Sequence, residues 1–234
     1  MEDSAFRSEA FGDIYFMPKE GEAESRYVFW EGNQLTHRLI QPEKETFQIA
    51  ELGFGTGLNY FLTRALWREI PNPPNIHYVS IEKFPIPIGM VNRMQLEIQS
   101  VPTWEEELIK VYLPYLGKPS QKEIQLLSYQ TDHPSSHHRF TLSLYLGDVI
   151  SALAQVGGPI DAFYLDGFAP SKNPEMWSPS VFSELKRLSL AGTTFSTFTA
   201  AGFVKRGLEK EGFFVRKQKG FGRKREMLVG TFHG

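Results

Sequence analysis

Apolar residues along this 234-residue chain fall into short runs separated by glycine, proline and polar clusters. Phe47, Ile49, Ala50 and Leu52 make one such run, and Leu58, Phe61, Leu62 and Leu66 follow it at helical spacing. The pattern predicts a strand, a turn and a helix over 47–70, ended by Pro71-Asn72-Pro73-Pro74-Asn75, because proline cannot continue a helix. His77–Ile81 reads as the next strand, the alternating Phe140–Leu146 as a third and the almost wholly apolar Ile160–Leu165 as a fourth. A strand apolar on both faces belongs inside a parallel sheet. Helices are expected over 151–156, 180–190 and 201–210, and strands over 192–198, 213–217 and 226–232. Alternating strands and helices that end in a strand pair predict an α/β fold, a Rossmann-like sheet of seven strands.

Two regions depart from this rhythm. Asp13-Ile14-Tyr15-Phe16 and Tyr27-Val28-Phe29-Trp30 look like β segments, so residues 1–46 read as an N-terminal β addition whose aromatics join the core. Residues 88–140 are longer than one βαβ unit needs. Helical spacing over 89–99 and 104–116, then a polar stretch with His133, His137 and His138, predicts a helical insertion. The chain contains neither an internal repeat nor a low-complexity segment, and one domain over 1–234 is expected, with room for a buried core.

The candidate chemistry starts at the turn of 51–59, Glu-Leu-Gly-Phe-Gly-Thr-Gly-Leu-Asn. Alternate glycines let a ligand approach the backbone without a Cβ in the way, and the helix start supplies N–H groups that lack partners. A dinucleotide fingerprint needs a third glycine at position 58, which is Leu. Glu-x-Gly-x-Gly-x-Gly instead resembles the class I S-adenosylmethionine (SAM) methyltransferases, and the resemblance puts Glu51, Gly53, Phe54, Gly55, Thr56, Gly57 and Asn59 beneath the methionine and ribose of SAM. Glu82, with Lys83 beside it, lies at the mouth of the next strand, where an acid accepts from ribose hydroxyls. Asp148, followed by Val149, is placed to accept from the adenine amine, and Asp166 stands at the carboxyl end of a central strand, where open α/β sheets hold their chemistry.

Composition narrows the remaining classes. With no cysteine, structural disulfides, thiolate metal sites and cysteine nucleophiles are excluded. Adjacent histidines in a serine-rich loop, without matching carboxylates, predict no metal site. The N-terminus lacks a secretion pattern, and no apolar run approaches the roughly 20 residues that span a bilayer, so a cytoplasmic protein with no membrane partner is expected. The formal net charge of −2 argues against a general nucleic-acid coat protein, yet nine Lys/Arg and only two acids lie between Lys205 and Arg225.

Further blocks narrow the resemblance. Gly32-Asn-Gln-Leu35, Glu82-Lys-Phe-Pro85, Leu165-Asp-Gly-Phe-Ala-Pro-Ser-Lys-Asn-Pro-Glu-Met-Trp177, Thr197-Phe-Thr-Ala-Ala-Gly-Phe-Val-Lys-Arg-Gly-Leu208 and Lys219-Gly-Phe-Gly-Arg-Lys-Arg-Glu-Met-Leu228 closely resemble the methyltransferase domain of the MnmC family. The likeness spans nearly the whole chain and weakens over 88–140. It implies SAM-dependent methylation of the primary amine of 5-aminomethyl-(2-thio)uridine at the wobble position of tRNA. Two-domain members carry an FAD-dependent oxidase domain after this one. No second glycine fingerprint follows here, so neither FAD nor metal is expected, and a stand-alone methyltransferase or an excised domain is implied.

An amine must lose its proton before it attacks a methyl carbon, which makes Asp166 the candidate acceptor and general base. The turn between the last two strands would put Arg223, Lys224 and Arg225 at the active-site mouth, facing the phosphates of an anticodon stem-loop. Lys205 and Arg206 would extend that track, Phe221 would stack on a base, and Phe168 would face the substrate. Two other classes stay open at this point: a SAM enzyme acting on another RNA, protein or small-molecule amine, and a non-catalytic RNA-binding module.

Overall fold

The computed structural model describes residues 6–8, 12–16, 20–87, 89, 90, 92, 93, 112–115 and 123–234. A short hairpin, β1 (Phe6–Ser8) and β2 (Asp13–Phe16), opens the chain. Helix α1 (Gly21–Ser25) runs into a π-helical turn (Arg26–Glu31), and α2 (Leu35–Ile40) follows. Then come β3 (Thr46–Leu52), α3 (Leu58–Glu69), β4 (Asn75–Glu82), β5 (Gln125–Asp132), β6 (Arg139–Leu146), α4 (Val149–Leu153) and β7 (Ile160–Leu165). The chain closes with α5 (Pro179–Arg187), β8 (Ser189–Thr197), α6 (Gly202–Lys210), β9 (Phe213–Lys219) and β10 (Glu226–Phe232).

Eight strands form one sheet in the order β5-β6-β4-β3-β7-β8-β10-β9. The five from β6 to β8 are parallel, while β10 runs antiparallel to both β8 and β9. All six residues of β7 are buried, as its apolar run predicts. Successive side chains of a strand point to opposite faces, so Ala162 and Tyr164 enter one hydrophobic cluster with α2 and α3, and Phe163 and Leu165 enter the other with α4, α5 and α6. Helices therefore cover both faces, and the carboxyl ends of β3, β4, β6 and β7 meet along one edge. This is the class I methyltransferase fold.

Two expectations are corrected. Tyr27–Trp30 is not a strand but part of the π-helical turn, so only β1 and β2 form the N-terminal β addition. Three consecutive large apolar residues imitate a buried strand, yet Val28, Phe29 and Trp30 are buried by tertiary packing, with Phe29 stacked on Tyr164 at 5.0 Å. The second correction falls within 88–140. Residues 125–132 form β5, an eighth strand paired antiparallel with β6 around a turn in which His133 N–H donates to the His138 carbonyl. As an edge strand β5 buries only Leu127, so it carries no apolar run for a sequence pattern to catch. Residues 89–90 and 92–93 are helical and 113–115 form a 3₁₀ turn, while 94–111 and 116–122 lie outside the described residues.

Candidate active site

The glycine turn is built by strand β3 ending against β4. Gly53 and Phe54 N–H groups both donate to the Ile81 carbonyl, at 3.0 and 3.2 Å. Gly53 has φ +102° and Gly55 φ +50°, in the left-handed region that glycine alone enters freely. A Cβ at Gly53 would lie 2.7 Å from the Asp166 carbonyl oxygen, so this glycine also permits the turn and the loop after β7 to abut. Gly57, at φ +79°, is the N-cap from which α3 starts.

Above the turn lies a cavity of about 610 Å³, within the range typical of sites for small ligands and cofactors. Its floor is polar. The Asn59 side chain amide donates to Asp166 Oδ2 at 2.6 Å and to Glu51 Oε1 at 2.9 Å, while its oxygen accepts from the Ser25 hydroxyl. Ser80 Oγ donates to the other Glu51 oxygen at 2.7 Å. One amide thus bridges two carboxylates. Burial, reinforced by the nearby Asp166 charge, pushes the Glu51 carboxyl up to about 8, against hydrogen bonds from Ser80 and Asn59 that lower it. Burial likewise pushes Asp166 up to about 8; Asn59 and Lys224 pull it down and Glu24 pushes it further up.

The other two strand-end acids are held by backbone. Glu82 accepts from Gly55 N–H and Phe84 N–H, each at 2.8 Å. Burial raises its carboxyl and these N–H groups oppose the rise. Asp148 is the N-cap of α4, its Oδ1 accepting from Ile150 and Ser151 N–H, while Oδ2 faces Lys83 Nζ at 3.7 Å. Lys83 also donates to Glu175 at 2.8 Å, the contact that most raises its ammonium. Both acids keep a face toward the cavity, where donors on a nucleoside can meet them.

The rim combines loops with the N-terminal addition. Tyr15 of β2 packs on Phe168 with ring centroids 5.2 Å apart and sits against Gly55. Also at the rim, Lys224 from the β9–β10 turn is paired with Glu24 of α1 and lies over the Phe198 ring at 4.8 Å.

Of the residues singled out in the sequence, Gly53, Phe54, Gly55, Thr56, Asn59, Glu82, Lys83, Asp148, Val149, Asp166, Phe168 and Lys224 all line this cavity. Glu51 does not: at 1% exposure it lies beneath the floor, bonded to Asn59 and Ser80, because β3 points it into the sheet layer. Gly57 serves the start of α3 instead. Phe221 packs on Tyr27 at 6.0 Å, and Tyr27 OH donates to the Lys219 carbonyl, which ties the basic turn to the π-helical turn. Arg223 and Arg225 are exposed on that turn outside the cavity. Lys205 pairs with Glu209 on α6, with Arg206 beside it, and neither reaches the cavity. Sequence reasoning missed Tyr15, Glu24, Ser25 and Phe198 as lining residues. Nothing local in the sequence marks Glu24, one of three acids at alternate positions with Glu20 and Glu22.

Among the described residues, no group of three or more His, Cys, Asp or Glu could hold a metal ion, and no helix is long and apolar enough to cross a membrane.

Comparison with known proteins bears on the whole arrangement. Residues 117–233, half of the chain, match the family described as S-adenosyl-L-methionine-dependent methyltransferase. The tRNA 5-methylaminomethyl-2-thiouridine biosynthesis bifunctional protein MnmC of Marinomonas sp. (strain MWYL1) is 42% identical over 233 residues, covering 99% of this chain and 33% of the relative. The protein of the same name from Leptospira interrogans (serovar copenhageni) is 43% identical over 232 residues, covering 96% and 33%. The chain therefore spans about a third of the length of the curated relatives it matches. The crystal structure of MNMC2 from Aquifex aeolicus superposes with a TM-score of 0.65 at 24% identity, covering 94% of this chain and 64% of that one, a likeness of fold.

Proposed function

The chain belongs to the family of S-adenosyl-L-methionine-dependent methyltransferases, and we propose that it methylates the primary amine of 5-aminomethyl-(2-thio)uridine at the wobble position of tRNA, giving 5-methylaminomethyl-(2-thio)uridine. The observation that carries this reading is the convergence on one cavity of the glycine turn, the Asp166 carboxylate and Lys224 of the basic turn. The name of the MnmC relatives, tRNA 5-methylaminomethyl-2-thiouridine biosynthesis bifunctional protein, supports the choice of acceptor.

The residues present fit SAM. The turn at Gly53 and Gly55 offers close backbone approach, Glu82 and Asp148 at successive strand ends suit ribose hydroxyls and an exocyclic amine, and Phe54, Thr56 and Val149 line the walls between them. When bound there, SAM supplies a methyl group on a positively charged sulfur.

The chain's own task is to prepare the amine. At a lysine-like pKa near 10.4, holding the free base at pH 7 costs about 4–5 kcal/mol, and attachment to an electron-poor pyrimidine reduces that cost. Asp166 orients the amine and, in its ionised form, receives its proton; burial raises this carboxyl to about 8, so the ionised form grows as pH rises toward that value. Asn59 fixes Oδ2 from the floor and leaves the rest of the carboxylate facing the cavity. Glu51 supports Asn59 from below and is a positioning residue in this scheme. Around the mouth, Arg223, Lys224 and Arg225 meet tRNA phosphates, and Phe168 meets the base. The partner is the anticodon stem-loop and the compartment is the cytoplasm, where tRNA is found. Lys205, Arg206 and Phe221 stand farther from the cavity and contribute less.

Labelled methyl transfer from SAM to tRNA bearing 5-aminomethyluridine tests the reading. Label is expected in that tRNA and not in tRNA bearing the carboxymethylaminomethyl form, whose nitrogen is already substituted. Equal labelling of both, or of neither, overturns the assignment.

A further inference from the structure

Glu24 is a carboxylate at the cavity mouth for which methyl transfer, as described so far, has no use. It stands on α1, half-buried, and accepts from Lys224 Nζ. Lys224 in turn lies over the Phe198 ring, half of its side chain exposed. Both side chains line the cavity, and both act on Asp166, Glu24 raising its carboxyl and Lys224 lowering it. The two charges therefore reach Asp166 from different elements of the fold, α1 and the β9–β10 turn. Their anchors differ. Glu24 is followed by Ser25, whose hydroxyl is locked to Asn59 in the floor. Lys224 sits in a glycine-containing turn between Arg223 and Arg225, on a long flexible stem.

We propose that RNA docking exchanges this ion pair: Lys224 moves to a backbone phosphate, and the released Glu24 carboxylate pairs with the protonated aminomethyl group of the substrate and holds it beside Asp166. The inference rests on the reading of the substrate as an aminomethyl nucleoside within RNA. Charge is conserved in the exchange. The substrate brings one ammonium and a phosphate backbone, and each finds the partner that the other's arrival sets free. Nothing charged is left unpaired in a partly buried site, where an unpaired charge is costly. A neutral substrate of the same size would leave Glu24 without its counter-ion, so Glu24 also selects for amines. A nucleoside without phosphates must compete with Lys224 for Glu24. Phosphate binding and amine binding thus reinforce each other across one residue pair, which is a coupling between two sites in the thermodynamic sense. Surface ion pairs are weak enough to be exchanged in this way.

The decisive variant is Lys224→Met, because the exchange gives it effects of opposite sign. Binding of free 5-aminomethyluridine, measured by calorimetry, is expected to tighten by about two- to five-fold, the strength of the exposed pair it no longer has to displace. Binding of tRNA carrying that nucleoside is expected to weaken, with the slope of log affinity against log salt reduced by about one. Adding Glu24→Gln should cancel the nucleoside gain, and 5-hydroxymethyluridine, neutral and of similar size, should show none. Unchanged or weaker nucleoside binding in Lys224→Met overturns the exchange, as does a gain that survives in the double variant or is equal for the neutral analogue. A wild-type protein that methylates aminomethyluridine tRNA while Lys224→Met gains nothing refutes the exchange alone. Failure of that methylation refutes the substrate reading itself.

Discussion

The floor and the rim of the cavity are built by different means. The floor consists of Asn59 and the Asp166 carboxylate, backed from beneath by Glu51; they are delivered by α3, β7 and β3 and joined by hydrogen bonds of 2.6–2.9 Å. Glu51 and Asn59 are 1% and 4% exposed, so their polar atoms depend on one another rather than on water. Pairs such as Glu24–Lys224 and Lys83–Glu175 hold the rim together, bridging elements far apart in the chain with side chains a quarter to two-thirds exposed. A buried bond left without its partner carries a full desolvation penalty, whereas an exposed pair is worth little and is screened by salt. The floor is held by buried hydrogen bonds and the rim by exposed ion pairs, which is the condition the proposed exchange requires. Chemistry that needs a preset acceptor belongs to the first, and recognition of a large, mobile polyanion belongs to the second.

The sharpest way to break the comparison is to remove the proposed acceptor, Asp166. Asp166→Ala is expected to lower the rate of methyl transfer by about 10²–10⁴-fold, the usual contribution of a positioned general base. SAM affinity, measured by calorimetry, should change only modestly, since Gly53, Gly55 and Glu82 stay in place. Retained turnover would take Asp166 out of the chemistry. Loss of SAM binding would make it a cofactor ligand instead.

A smaller effect separates floor from rim by pH. In the folded protein the Glu51 carboxyl is held near 8, above the ordinary 4.5, chiefly by burial. Between those values the folded chain keeps a proton that the unfolded chain releases. The stability tied to Glu51 is therefore fully present below about pH 4.5 and is lost as pH rises through about 8. Glu51→Gln is neutral at every pH and keeps an acceptor for Asn59, so the fall in Tm between pH 5 and pH 9 should become shallower without vanishing, because Asp166 is raised in the same direction. An unchanged slope would mean that Glu51 is already ionised in the fold. No rim substitution should alter this slope to a comparable degree.

The same division decides what could be read from the sequence. Strand-end acids and the glycine turn are set by short-range rules: a parallel strand, its terminus and the residue just past it. Hence Gly53, Glu82, Asp148 and Asp166 could be located from pattern alone, and all line the cavity. Glu51 was legible as part of the motif but not as a residue under the floor, because its direction depends on which face of β3 the Asn59 amide closes. Lys224 could be anticipated from the position of the last turn, while its neighbours Arg223 and Arg225 are carried outside the cavity by that turn's geometry. Glu24 and Tyr15 were illegible, since their place in the site comes from docking the N-terminal segment across distant strands, whereas Phe198, just past the end of β8, obeys the strand-end rule but carries no charge to mark it. Val28–Trp30 failed for a related reason. Three buried neighbours in sequence fit a strand, and only the packing of Phe29 on Tyr164 and of Arg26 over Trp30 at 4.2 Å selects the helical turn. β5 was hidden by its place at the sheet edge, which asks for one buried leucine and little else.

The smallest expected effect lies farthest out on the rim. Arg223 is exposed on the basic turn and does not line the cavity, so its charge can reach an RNA backbone but not the methyl-transfer step. Arg223→Ala should raise the KM for tRNA a few-fold at low salt, reduce the salt slope by about one, and leave kcat at saturating tRNA unchanged. Transfer to the free nucleoside should also be unaffected, which sets Arg223 apart from Lys224: both are proposed to meet phosphate, but only Lys224 also holds a carboxylate of the site. A fall in kcat would mean that the turn shapes the cavity rather than merely flanking it, and the line between a fixed floor and an exchangeable rim would then have to be drawn elsewhere.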